Sequence, residues 1–289
     1  MDRSIWIVIT ALAGASLACS VDLPDVPRLK TGPTETLTLN EAAPADDIVP
    51  SVILNMGAGR LDLSGSSESL LSGEIQYNVA EWKPTVTNVA GLVTVTQGDS
   101  GDNIGIPESG AQVVNEWTLQ LGNVPMNLTV NAGAYDGLLD LSGVPLHSLS
   151  INDGASKAEV RFDSLNPEVM ETLAYKSGAS TVKLVGLANA NFTTLTFDGG
   201  AGDYTLDFSG ALQQDATVKI TSGVSNVRIV IPAGMTAQVD VEGAISNVST
   251  EGTWTVNDKH YEVTGSGPTL TITVQIGVGN LTLVSEGGE

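Results

Sequence analysis

From residue 51 onward, apolar residues return at every second position around a recurring glycine. Three and five places before it stand Leu54 and Val52, Val130 and Leu128, Ile151 and Leu149, Tyr175 and Leu173, Phe197 and Leu195, Ile220 and Val218, and Val274 and Ile272. Four and six places after it stand Leu61 and Leu63, Ala158 and Val160, Val182 and Leu184, Tyr204 and Leu206, Val227 and Ile229, and Leu281 and Leu283. Eight places after it come Leu141, Phe162, Phe208 and Ile231. A period of two is that of a β-strand. Each unit therefore predicts a strand, a tight bend at the glycine, and a second strand. The glycines are Gly57, Gly133, Gly154, Gly178, Gly200, Gly223, Gly243 and Gly277, each followed by Ala or Val. The expected reason for glycine is a bend whose backbone angles a side chain forbids.

The intervals from Gly133 to Gly243 are 21, 24, 22, 23 and 20 residues. A fixed period of this size marks a solenoid, because one coil cannot bury its apolar face without neighbours. The predicted fold is all-β, a β-solenoid-like stack of roughly 22-residue repeats in which equivalent residues lie ~4.8 Å apart. Leu184, Leu206 and Ile229 should then share one dry interior, and only Ser249 interrupts their column. Glu159 should neighbour Lys183, and Asp140 should neighbour Arg161. Such pairs contribute ~0.2–1 kcal/mol each. A β-sandwich with hairpins of similar length is the alternative; the shared glycine column favours the stack. The long interval between Gly57 and Gly133, and residues 250–289, are expected to be closing strands and caps. Trp82, Trp117 and Trp254 fall in those stretches and are expected to cap the core rather than stack on a ligand.

The N-terminus changes the picture from fold to location. Arg3 precedes the apolar run Ile5–Ala18, which ends in small residues at Cys19, the sole cysteine. The run is short for ~30 Å of hydrocarbon and has the parts of a secretory signal. The segment Ser16-Leu17-Ala18-Cys19 resembles a bacterial lipoprotein signal, with Cys19 as the lipidated residue. The usual leucine three places before the cysteine is here Ser16, so an ordinary signal peptide stays open. The expected division is 1–19 signal peptide, 20–50 Pro/Asp/Thr-rich stalk, and 51–289 repeat-built domain. The chain would lie outside the cytoplasm, held to the membrane by an N-terminal lipid.

Composition narrows the chemistry. With 33 acidic and 12 basic residues the net charge is −21, a field that repels nucleic acid. It serves solubility, or recruitment of a cationic partner. His147 and His260 stand in no metal-ligand spacing, and no metal or other cofactor is expected. Ser180-Thr-Val-Lys183 and Lys30-Thr-Gly32 match fragments of penicillin-binding enzymes, but Ser180 and Lys183 fall inside a repeat and the chain order is wrong. Gly199–Tyr204 resembles a calcium nonapeptide but has Tyr204 where the Asp belongs. The Asp99–Asn103 loop is the better cation candidate and reads chiefly as a solvated turn. The basic residues look scattered along the chain. No catalytic residue is expected, although polysaccharide-active enzymes also use β-helices.

Five stretches carry a resemblance to a known family: Gly57–Gly65, Asn152–Ser156, Gly178–Ser180, Gly199–Gly210 and Val230–Gly234. They resemble the toast-rack domain, related to the C-terminal LiaF-type domain of cell-wall-active antibiotic response proteins. The resemblance covers about residues 51 to 285. It implies a stacked-strand fold and an envelope role in stress sensing or protein interaction, without catalysis. The expectation is a non-enzymatic interaction module whose partner is an envelope protein or another copy of itself. A self-associating adhesin and a polysaccharide-active enzyme are the alternatives.

Overall fold

The computed structural model describes residues 28–45, 48–98, 106–107, 112–243 and 245–286. Cys19 and the Asp99–Asn103 loop lie outside the described residues. The strands are β1 (Arg28–Leu29), β2 (Glu35–Glu41), β3 (Ser51–Ser67), β4 (Leu71–Tyr77), β5 (Thr85–Val89), β6 (Leu92–Thr96), β7 (Ile106–Pro107), β8 (Asn115–Gly122) and β9 (Met126–Asp140). They continue as β10 (Leu146–Arg161), β11 (Met170–Val185), β12 (Phe192–Asp207), β13 (Ala216–Ile231), β14 (Thr236–Gly243), β15 (Asn247–Glu251), β16 (Thr255–Asn257), β17 (His260–Val263) and β18 (Thr269–Ser285). One 16-stranded sheet holds all but β1 and β7.

Its centre is a parallel ladder in the order β3, β9, β10, β11, β12, β13, β18. This is the predicted stack. Leu184, Leu206 and Ile229 are register partners and buried. Each strand runs on through the bend, so a coil is one long folded strand with two arms.

The glycine column has a different cause from the one expected. None of Gly133, Gly154, Gly178, Gly200, Gly223 and Gly277 has a left-handed backbone. A Cβ on each would instead lie 2.2–2.8 Å from the carbonyl oxygen of the column glycine in the next coil. The constraint is close approach between coils.

Inside the bend, the residues just before and two after the glycine face each other and share a fixed space. Asp153 meets Ser156 at 3.0 Å, Ser177 meets Ser180 at 2.6 Å, and Ser222 meets Ser225 at 2.7 Å. In β12 both places are glycine, Gly199 and Gly202, and the Tyr204 ring takes the room: a Cβ on Gly199 would meet it at 2.5 Å.

Coil order departs from chain order at both ends. Ser51–Ser67 lies directly on Met126–Asp140, and the intervening residues cover its other side: β6 pairs with its first arm and β8 with its second. Trp117 is fully buried there, while Trp82 and Trp254 are only partly covered. At the far end β18 is an interior coil rather than a cap, because β13 pairs with one side of it and β14 and β15 with the other. Gly243 is opposite Ile276, one place off the glycine column. That offset puts Thr250 in the apolar column and leaves Ser249 beside Thr282, which explains the interruption at Ser249. Within the expected stalk, β2 pairs along its whole length with β4 and buries Leu39, so the folded part starts before residue 51.

Candidate functional site

The outer face of the second arm gathers charge. Alternation along a strand sends residues three, five and seven past the column glycine outward. Parallel register then aligns them into columns. Arg60, Asp136 and Lys157 are successive partners in the first column. Asp62, Leu138, Glu159 and Lys183 follow one another in the second. Asp140 and Arg161 are partners in the third. The two neighbour pairs expected from the sequence are thus register partners.

The ion pairs themselves run along strands instead. Arg60 donates to both carboxylate oxygens of Asp62, at 2.9 and 3.2 Å. Arg161 donates to Glu159 and lies 3.6 Å from Asp163. These hydrogen bonds, followed by the charge of the same carboxylates, raise both guanidinium pKa values, so both arginines stay charged. Lys157 and Lys183 make no ion pair among the described residues, and with Arg60, Asp62, Asp136, Leu138 and Glu159 they line a groove of about 320 Å³. Leu138 is 45% exposed in its middle. Four of the chain's 12 cationic residues (Arg60, Lys157, Arg161 and Lys183) therefore meet on one face. The basic residues are scattered in sequence but not in space, because the coil period superposes them.

A second polar cluster sits inside the bend. Asp153 accepts hydrogen bonds from Tyr175 at 2.7 Å, Ser156 at 3.0 Å, Ser180 at 3.2 Å and Ser177. Ser180 is thus committed to a buried network and Lys183 to the outer face, so the serine–lysine match forms no dyad. His147 lies 3.9 Å from Glu168, and His260 pairs with Asp240 at 2.8 Å. Among the described residues no group of three or more His, Cys, Asp or Glu could hold a metal ion. No helix of the described residues is long and apolar enough to cross a membrane.

Neither the groove nor the Asp153 cluster was named from sequence. The signal for both lay in the register: once the column glycines are aligned, each set falls at fixed offsets from them.

Comparison with known proteins places this architecture. No curated protein matches the chain. Among solved structures, a candidate cell adhesion protein from Clostridium sporogenes is similar at 18% identity and a TM-score of 0.45, over 88% of this chain and 99% of that one. A candidate adhesin from Bacteroides fragilis is similar at 10% identity and a TM-score of 0.41, over 87% and 97%. A third, from Parabacteroides merdae, is similar at 11% identity and a TM-score of 0.35, over 91% and 99%. The model of the toast-rack N-terminal domain family, DUF2154, matches residues 48–164 and 164–230. With most of its stacked coils inside those matches, the chain belongs to the toast-rack N-terminal domain family.

Proposed function

We propose that the protein is a non-enzymatic interaction module, displayed outside the cytoplasm, that docks an envelope protein on the outer face of its second arm. The observation that carries this reading is the groove where Lys157 and Lys183, without an ion pair among the described residues, lie on one side of exposed Leu138. In a chain of net charge −21, a groove whose three cations (Arg60, Lys157 and Lys183) balance its three acids beside an apolar side chain suits a partner segment carrying both acids and an apolar anchor. The rigid ladder holds these groups in place without a partner, which lowers the ordering cost of binding. Cys19 lipidation would hold the module at the membrane, and stress sensing would act through occupancy of this face.

The test is a photo-crosslinker at Leu138 in the full chain, in envelope extracts, with and without Lys157→Glu and Lys183→Glu. A defined crosslinked protein that disappears in the double variant is expected. An unchanged crosslink pattern contradicts the reading. Release of fragments from cell-wall polysaccharide by the purified chain would favour the enzyme alternative. A Cys19→Ala variant that still partitions with membranes would remove the anchor.

A further inference from the structure

We propose that β5 (Thr85–Val89) is a self-association edge, through which two copies pair antiparallel about a two-fold axis at Thr87. Among the described residues the strand pairs only with β6 and its other side has no partner. Soluble proteins guard open edges with charge, proline or a cover. The sequence Thr85-Val-Thr-Asn-Val89 has neither charge nor proline, whereas β2 carries Glu35 and Glu41 and β15 carries Glu251; the edge strand β16 is uncharged too but only three residues long. A second, independent feature lies beside it. Of ten exposed large hydrophobic residues among those described, Val89 and Leu92 close the hairpin of this edge, and Ile48 and Val49 lie just before the strand that pairs with the other side of the hairpin. The hairpin brings them together, since Val89 pairs with Leu92, Leu92 pairs with Ser51, and the Ser51 N–H donates to Gly91 at 2.9 Å.

The turn fixes which groups the edge offers. Ala90 and Gly91 have φ of 50° and 80°, as a two-residue hairpin of the primed type requires. In such a hairpin the closing pair, Val89 and Leu92, exchanges both hydrogen bonds, and every second residue does the same. Thr85, Thr87 and Val89 therefore bond inward to β6, and the backbone groups of Val86 and Asn88 point out. An antiparallel copy centred on Thr87 places Val86 opposite the other copy's Asn88. These pairs exchange four hydrogen bonds across the axis. Thr87 then meets its own copy in a non-hydrogen-bonded pair, where side chains approach most closely.

A second copy is the occupant that charge favours. Two chains of −21 repel over most of their surfaces. Contact is tolerated where charge is lowest, and the strand Thr85–Val89 itself carries none. Glu41, an acid beside the strand, is held by Asn88 Nδ2 at 3.0 Å. A two-fold contact also closes after two copies, since the same patch serves both. The proposal is independent of the charged groove, which lies on the other arm, so either can fail alone.

The test uses the full chain carrying Cys19→Ser, which removes the lipid site and the only thiol. Sedimentation over a wide concentration range should show a reversible monomer–dimer equilibrium. Thr87→Glu places like charges directly opposite and should weaken dimerisation about ten-fold or more, ~1.4 kcal/mol, without changing the circular dichroism spectrum. Thr87→Cys should give a disulfide-linked dimer on oxidation, while Thr94→Cys, one strand inward, should not. A monomer at every concentration would overturn the proposal. So would a dimer indifferent to Thr87→Glu, or equal crosslinking at both positions.

Discussion

The carbonyl oxygen of Gly178 occupies the place that a side chain on Gly200 would need: a Cβ there would lie 2.2 Å from it. Backbone contact at this distance cannot yield without parting the coils. Gly200→Ala is therefore expected to cost about 3 kcal/mol or to prevent folding. Gly234 provides the contrast. Its φ is +81° and nothing lies within 4 Å, so Gly234→Ala meets only backbone strain, about 1–2 kcal/mol. Urea unfolding of the two variants separates them.

Tyrosines of the buried cluster differ in one hydrogen bond. Tyr175 donates to Asp153 at 2.7 Å, whereas the Tyr204 hydroxyl is buried with no hydrogen-bond partner among the described residues. Tyr175→Phe should lower stability by about 1–3 kcal/mol, and Tyr204→Phe should be neutral or stabilising. Equal losses in thermal unfolding would contradict the assignment.

Alkali should unfold the protein through the same cluster. Burial, then the neighbouring Tyr135 and Asp153, pushes the Tyr175 phenol far above its ordinary value of 10.0. The unfolded chain still ionises near 10. A group raised in the fold contributes stability that is complete below the unfolded pKa and is lost as pH rises beyond it. Unfolding free energy should be flat from neutral pH to about 10 and then fall. The fall should be shallower in Tyr204→Phe, whose phenol is also raised by burial. A decline beginning near pH 8 would count against this origin.

Asn166 closes a coil from inside. It is fully buried, its Oδ1 accepts from the Leu146 and Glu168 N–H groups, and its Nδ2 donates to the Leu146 and Ala190 carbonyls. Asn166→Ala leaves these backbone groups unpaired and should cost about 2–4 kcal/mol. Hydrogen exchange should quicken first at Leu146 and Glu168.

Much of the fold was legible because strand periodicity and a glycine column are local signals. Leu184, Leu206 and Ile229 show their shared interior at the spacing of one coil. The order of coils was not legible at the ends. Nothing local to Thr269–Ser285 says that it inserts between β13 and the segment that precedes it in the chain. Glycine's role is not legible locally for the same reason: the atom that excludes a Cβ at Gly200 belongs to another coil. The groove stayed hidden because Arg60 and Lys183 are far apart in sequence and meet only through register.

Coil order distinguishes this fold from a stack built in chain order. Val224 and Val278, 54 residues apart, are register partners at the exposed apex, at 62% and 56% exposure. In the full chain with Cys19→Ser, the pair Val224→Cys and Val278→Cys should close an intramolecular disulfide under mild oxidation. A coil stack in simple chain order would instead join position 224 to a cysteine placed near residue 244, and leave the thiol at 278 free.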